Sequence, residues 1–188
     1  MTKRLKIILL VLIHLLIILL ASGCSLGTLY ANEQPSVYQH PLTVIPGQRF
    51  GQSFVATYDG LQGMQVMYRA EQPITLDCAL RASSDSSTDI RQTTQSLPAS
   101  EAFASAQILF APVSGSAHGD YYLSCLVEQD SGPVDVQIGT SLTYMQGAIH
   151  HDDKPGDAQL TFQLLYDRGL AGITLVKSLA GSFLRLLL

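Results

Sequence analysis

The sequence predicts an all-β protein, an antiparallel sandwich of two sheets, and three observations lead to this class. Apolar and polar residues alternate with a period of two through most of residues 50–166, the pattern of strands with one buried and one wet face. Clusters of Gly, Pro, Asp and Ser separate these stretches, as turns require. No strong helical pattern lies between them. Seven or eight short strands of this kind predict two packed sheets.

The predicted strands follow one another in a simple order along the chain. Their buried faces carry, strand by strand, Phe50, Gln52, Phe54 and Ala56; Met64, Val66 and Tyr68; Ile74, Leu76, Cys78 and Leu80; Ile108 and Phe110; Tyr121, Leu123, Cys125 and Val127; Val134, Val136 and Ile138; Leu160, Phe162, Leu164 and Tyr166. Residues 82–106 are rich in Ser and Thr, and we expect a long loop there, at most with a short helical turn. The sandwich is predicted to cover residues 49–167, after an extended, proline-containing linker over residues 30–48.

Charge and composition exclude two classes of protein. Only 14% of the residues are charged and 47% are hydrophobic, which excludes a disordered polyelectrolyte. Residues 32–167 hold all 15 acidic residues and only five of the 11 basic ones. Because neutralising phosphates requires a basic face, this acidic body predicts that nucleic acid is not a partner.

Residues 1–29 are predicted to be a signal peptide or a membrane anchor. Three basic residues lie within Met1–Lys6, and Ile7–Leu20 is apolar apart from His14. A run of small residues then leads to Cys24. A basic start, an apolar segment and a small-residue exit are typical of export signals.

Three fates of this segment remain open. Leu20–Cys24 resembles a bacterial lipobox, so cleavage before Cys24 with lipid attachment to its thiol would make a lipoprotein. An uncleaved anchor would need about 20 spanning residues, reached only by continuing through Ala21–Leu29. The third fate is cleavage and release. Because basic flanks stay on the cytoplasmic side, we expect the sandwich to face outside the cytoplasm, with the membrane as a partner.

Two of the three cysteines are predicted to form a disulfide. Cys78 and Cys125 both lie in the middle of a predicted strand, on its apolar phase, and should therefore point into the same core. In an exported protein such a pair favours a bridge. The alternative is two buried thiols that behave as small apolar side chains.

The densest polar cluster is a weak candidate for a metal site. His150, His151, Asp152 and Asp153 are consecutive, and imidazole and carboxylate groups can ligate metals. Asp152, Asp153 and Asp157 are the candidate ligands. Neighbouring residues of an extended chain point to opposite faces, however, so the two histidines should not share one ion. A solvated loop before the last strand is the favoured interpretation.

Motifs of known catalytic chemistry are missing from the sequence. It contains no Gly-x-Ser-x-Gly elbow and no phosphate-binding glycine loop, so we expect no enzymatic activity and no cofactor. Its tyrosines could stack on sugar faces, but at strand positions they are more often part of the core or of the sheet surface. They are Tyr58, Tyr68, Tyr121, Tyr122, Tyr144 and Tyr166.

A series of segments resembles a known domain. These segments are Gly51–Ala56, Asp59–Val66, Phe110–Val113, Gly119–Leu123, Gly147–Ile149 and Asp157–Phe162. Together they resemble an extracytoplasmic β-sandwich domain of bacterial membrane proteins, which in some relatives lies next to glycosyltransferase-like membrane regions. The resemblance implies a jelly-roll-like sandwich of the sort used in carbohydrate-binding modules, and it carries over no catalytic residue.

The leading functional hypothesis is therefore a membrane-tethered module that binds or scaffolds at the cell envelope, with an envelope glycan or another envelope component as the expected ligand. The alternative is an accessory subunit or detached ectodomain of a membrane glycosyltransferase system, with a polytopic membrane protein as partner. An enzyme whose site is assembled from scattered acids is a third hypothesis.

Residues 168–188 are predicted to form an apolar or amphipathic helix. The apolar positions of residues 170–188 cover most of a helical wheel, and Lys177 and Arg185 share a narrow polar stripe. A helix lying in the membrane interface fits this pattern. A spanning helix and a helix packed on the sandwich are the alternatives.

Overall fold

A computed structural model describes residues 28–34, 41–139 and 146–172, and these residues form an all-β domain with two main antiparallel sheets. The strands are β1 (Thr28–Gln34), β2 (Leu42–Val44), β3 (Arg49–Val55), β4 (Leu61–Ala70), β5 (Ile74–Arg81), β6 (Asp89–Leu97), β7 (Ser100–Val113), β8 (Asp120–Val127), β9 (Val134–Val136), β10 (Ile138–Gly139), β11 (Ile149–His151), β12 (Lys154–Pro155), β13 (Gln159–Leu160) and β14 (Phe162–Asp167).

The first sheet is organised around β4. One edge of β4 pairs with β14 and then, further along, with β9, while its other edge pairs with β7. Strand β1 lies outside β14, and β2 lies outside β9. Every one of these pairings is antiparallel.

The second sheet has the order β12-β11-β3-β8-β5-β6. All of its neighbouring strands are also antiparallel. Strands β10 and β13 form a separate short ladder. The second sheet matters most for the candidate site, because β3, β5, β6 and β8 carry the residues of that site on their outer face.

Both sheets contribute to a single hydrophobic core, which makes the fold sandwich-like. From the second sheet come Phe50, Phe54, Leu76, Leu80, Leu123 and Val127; from the first come Met64, Val66, Tyr68, Ile108, Leu164 and Tyr166. The predicted period-two alternation of these strands is confirmed, since the intervening positions point away from the core. Gln52, Ser116 and Ser124 are fully buried polar side chains among the described residues, and Gln52 Oε1 accepts a hydrogen bond of 2.8 Å from the Leu160 amide.

The prediction of a long loop over residues 82–106 is wrong for most of that stretch. Residues 89–97 form β6, and β7 begins at Ser100. Strand β6 lies at the edge of the second sheet, where β5 is its partner among the described strands. Because neither face of most of this strand enters the core, its sequence is Ser-, Thr- and Gln-rich and lacks the apolar alternation by which the other strands were predicted.

The stretch predicted as a linker, residues 30–48, contributes two strands to the first sheet. Strand β1 pairs with β14, and β2 pairs with β9. The prolines do not interrupt these strands: Pro35 follows the last residue of β1, Pro41 precedes β2, and Pro46 comes two residues after β2. A proline next to a strand removes no ladder hydrogen bond from within it.

The predicted terminal helices largely fall outside the described residues. The segment that holds the lipidation candidate Cys24, residues 1–27, lies outside them, as do residues 173–188. Residues 168–172 are helical and directly follow β14. Within the part of the chain that the structure describes, no helix has both the length and the apolar character needed to cross a membrane.

Candidate functional site

The disulfide predicted from the sequence is confirmed, and it lies beneath the candidate site. Cys78 on β5 faces Cys125 on β8 directly, with an S–S distance of 2.03 Å. Both side chains are buried in the core. The bridge therefore joins two central strands of the second sheet. Asp77 and Ala79, which flank Cys78 in the sequence, point to the outer face of that sheet.

On this outer face, β3, β5, β6 and β8 form a shallow polar cleft of about 290 Å³, which we call the β5–β6 cleft. The register between β5 and β6 brings its residues together, because Asp77 lies opposite Thr94, Ala79 opposite Gln92, and Arg81 opposite Asp89. Small and apolar groups, Ala79 and Leu126, line it between polar side chains. These polar side chains include Arg49, Asp77, Arg81, Asp89, Gln92 and Thr94.

Three of these side chains form a hydrogen-bonded chain between β5 and β6. Arg81 Nε donates to Asp89 Oδ1 over 2.5 Å, and Gln92 Nε2 donates to Asp89 Oδ2 over 2.6 Å. The hydrogen bond from Arg81, followed by that from Gln92, lowers the pKa of Asp89. The same hydrogen bond raises the pKa of Arg81. Both groups are therefore ionised near neutral pH, and their side chains hold each other in fixed orientations.

The other two charged groups of the cleft have different surroundings. Asp77 Oδ1 accepts a hydrogen bond of 2.7 Å from Thr94 Oγ1, and the Asp77 side chain is exposed. Arg49 is half-buried at the opposite side. Among the residues that the structure describes, none forms a hydrogen bond or an ion pair with the Arg49 guanidinium. Its donors are thus available to a bound molecule.

The metal candidates Asp152 and Asp153 form the turn between β11 and β12 instead. Both have positive φ angles, 49° and 61°, which a two-residue type I′ hairpin requires and Asp tolerates. Asp152 Oδ1 accepts a hydrogen bond of 2.8 Å from the backbone amide of Arg49, and Asp153 Oδ1 accepts one of 2.8 Å from the Tyr122 hydroxyl. These carboxylates thus tie the turn to β3 and β8.

The two histidines point in different directions, as the sequence predicts. The His150 ring packs against the buried Tyr122 ring, with centroids 4.7 Å apart. His151 Nε2 lies 3.2 Å from Gln48 Oε1. In the described ranges no three His, Cys, Asp or Glu side chains are grouped as metal ligands, so Asp157 joins no such group with the turn.

Three of the six tyrosines that could form a sugar-stacking platform are inside the protein. Tyr68, Tyr122 and Tyr166 are at most 3% exposed. Burial, together with the hydrogen bond to Asp153, raises the pKa of Tyr122. Tyr58 and Tyr121 are half-buried and pack against the core. Tyr144 lies outside the described residues.

The residues of the β5–β6 cleft are not evident from the sequence. A usable signal is present in β5, whose polar phase carries Asp77 and Arg81. Their partners Asp89, Gln92 and Thr94 give no such signal, because they belong to the stretch predicted as a loop.

No family model matches this chain, and no curated protein matches it. Two solved structures of a family two carbohydrate esterase from Clostridium thermocellum align with part of this chain, one an active-site mutant and one in complex with cellohexaose. They are 14% and 12% identical to this chain, with TM-scores of 0.32 and 0.33. In both cases the similarity covers 71% of this chain but only 32% of the esterase chain. Nothing in these comparisons concerns a glycosyltransferase, so that part of the resemblance stays a prediction.

Proposed function

We propose that this protein is a glycan-binding module and that the β5–β6 cleft is its binding site. The observation that carries the proposal is the fixed chain of Arg81, Asp89 and Gln92, which lies beside the available donors of Arg49. Sugar hydroxyls both donate and accept hydrogen bonds, so they match a surface on which donors and acceptors alternate at short range.

The charge of the cleft favours a neutral polyhydroxylated ligand. Two arginines, Arg49 and Arg81, and two aspartates, Asp77 and Asp89, line it, so their formal charges cancel. Such a ligand can donate to Asp77 at one side and accept from Arg49 at the other. The volume of about 290 Å³ lies at the lower end of the range for small-molecule sites, which suits one or two sugar rings.

The position of these groups on strands reduces the cost of binding. Arg81 and Gln92 each extend from a hydrogen-bonded strand and are held by Asp89, and the Cys78–Cys125 bridge crosslinks β5 to β8 beneath them. Side chains that are already held in place lose little conformational entropy when a ligand binds. A weak but specific hydrogen-bonding surface of this kind is sufficient for a binding module.

A glycan array probed with the purified full-length chain tests this proposal. We expect binding to at least one cell-envelope or cell-wall oligosaccharide, and Arg49→Gln should weaken it by about 10- to 100-fold, the effect of losing charge-assisted hydrogen bonds. The matched control is Arg168→Gln, because Arg168 is an exposed arginine outside the cleft. If no glycan binds, or if the two variants behave alike, the proposed site is wrong.

We further propose that the module is tethered to the outer face of a membrane through its N-terminal segment. Support comes from the sequence, where a basic start and an apolar stretch lead to Cys24. Intact mass of the protein extracted from membranes separates the lipidated, cleaved and uncleaved forms. A lipoprotein should lose the acyl mass and membrane retention on Cys24→Ala, whereas unchanged mass and retention would exclude lipidation at this residue.

A further inference from the structure

The arrangement of Arg81, Asp89 and Gln92 recurs on the outer face of the first sheet. There, Arg69 Nη2 and Nε donate to Asp135 Oδ2 over 2.5 and 3.1 Å, and Thr43 Oγ1 donates to Asp135 Oδ1 over 2.6 Å. In each set an aspartate uses one oxygen for an arginine and the other for a neutral donor. The register again builds the set, since Asp135 on β9 lies opposite both Thr43 on β2 and Arg69 on β4.

This second set also adjoins an open cleft, which we call the β4–β9 cleft. Its volume is about 700 Å³, and Glu71, Ser100 and Glu101 line it together with the set. The Arg69 guanidinium carbon lies 5.2 Å from the centroid of the Phe103 ring, which supports the plane of the guanidinium. The cleft thus offers fixed donors and several acceptors, as the β5–β6 cleft does. Its one arginine and three carboxylates, those of Glu71, Glu101 and Asp135, give it a formal charge of −2, and sugar hydroxyls can donate to these carboxylates.

The hydrogen bonds of the second set favour the ionised form of Asp135. Burial alone would raise the pKa of Asp135, but the hydrogen bonds from Thr43 and Arg69 outweigh this and lower it. The side chain of Arg69 is 43% exposed, so part of its donor set faces solvent. A ligand can reach this set without disrupting it.

The two clefts lie on opposite sides of the sandwich. Arg69 lies between the core residues Tyr68 and Ala70 on β4, and it therefore points away from the core. Arg81 follows the core residue Leu80 on β5, so it also points away from the core. Two packed sheets are about 10 Å apart, and each cleft is on the outside of its sheet. A ligand in one cleft cannot fill the other at the same time.

We infer that the β4–β9 cleft is a second glycan site and that one copy of the domain bridges two glycan chains. The inference rests on the proposed function, because it assigns the ligand class from the chemistry shared with the β5–β6 cleft. Bridging follows from the opposite placement of the clefts. Bridging also raises the overall affinity of two weak sites for a dense glycan layer, because the first contact raises the effective concentration for the second.

The experiment is a two-step capture with the purified full-length chain, confirmed as monomeric by light scattering. Xylan, mannan, β-glucan and solubilised peptidoglycan are each immobilised, the protein is bound, and the same polysaccharide is then passed over in solution. A second mass increase reports bridging. Arg69→Gln and Arg81→Gln should each retain capture of the protein and lower the second increase at least tenfold, while the double variant is not captured. The exposed-arginine control, Arg168→Gln, should behave as the wild type.

Two results would overturn the inference while leaving the proposed function intact. One is an unchanged second mass increase with Arg69→Gln; the other is complete loss of capture with Arg81→Gln alone, which means a single site. Failure of the wild type to bind any of the four polysaccharides counts against the proposed function itself. If Arg69→Gln does not fold, as judged by its thermal transition, Arg69→Lys replaces it, because a lysine keeps the charge but loses the two-pronged hydrogen bonding.

Discussion

Reduction of the Cys78–Cys125 disulfide should destabilise the domain strongly. The bridge links residues 47 positions apart, and the loop-entropy relation for a closed loop of this length corresponds to about 4 kcal/mol at 25 °C. With a urea m-value of about 2 kcal/mol/M, the unfolding midpoint should fall by about 2 M. Because the bridge restricts the unfolded chain, reduction should also raise the m-value, as the unfolded state becomes more expanded.

The assay is urea unfolding of the purified chain, followed by far-UV circular dichroism with and without reductant. The double variant Cys78→Ala/Cys125→Ala is the matched control, because reductant should leave its midpoint unchanged. A midpoint shift below about 0.5 M in the wild type, a quarter of the shift expected from loop entropy, would refute the reasoning, since the bridge would then add little to the hydrogen-bonded pairing of β5 and β8. Loss of glycan binding on reduction, before unfolding, would show that the bridge also fixes the β5–β6 cleft.

Three further predictions concern individual contacts. The pKa of Asp89 is lowered in the folded state, so its carboxylate stabilises the fold above about pH 4, the pKa of an unfolded aspartate. This contribution is lost as the pH falls through the pKa of the folded state. The urea midpoint of Asp89→Asn should therefore fall less than that of the wild type between about pH 6 and pH 3. Gly51→Ala should lower the free energy of unfolding by about 1–3 kcal/mol, because a Cβ there would lie 2.6 Å from the Tyr122 ring and from the Leu123 carbonyl oxygen. In the control Gly172→Ala the new Cβ meets nothing within 4 Å, so the thermal midpoint should be nearly unchanged. Tyr122→Phe removes the hydrogen bond to the turn carboxylate and should lower the unfolding free energy by about 1–3 kcal/mol, measured by urea unfolding; an unchanged midpoint would contradict this role.

The strands that face the core were predictable because burial imposes a period of two on their side chains. In β5, every second residue from Ile74 to Leu80 enters the core, and the sequence predicts this strand with its correct phase. The disulfide follows from the same reasoning, because phase alone indicates that Cys78 and Cys125 point to the same side. The cross-strand pairing of the two cysteines does not follow, since the order of strands in a sheet depends on pairings between residues distant in sequence.

The edge strand β6 cannot be predicted from apolar alternation. Among the described strands its residues, such as Thr93 and Thr94, pair with β5 alone, and Thr94 is exposed. No burial constrains their polarity, so the sequence looks like that of a loop. The sequence does not predict strands β1 and β2 for a related reason, because the prolines that flank them favour an open linker.

The sequence by itself determined the all-β class, the core phase of the central strands, including that of Cys78 and Cys125, and the different directions of His150 and His151, since each of these depends on side-chain alternation within one segment. Only the tertiary structure decided that Arg81 meets Asp89 and that Arg69 meets Asp135, and that the two sets lie on opposite faces. The physical reason is that a polar outer-face residue is compatible with many partners. The register between strands determines its actual partner, and the buried residues of both strands determine that register.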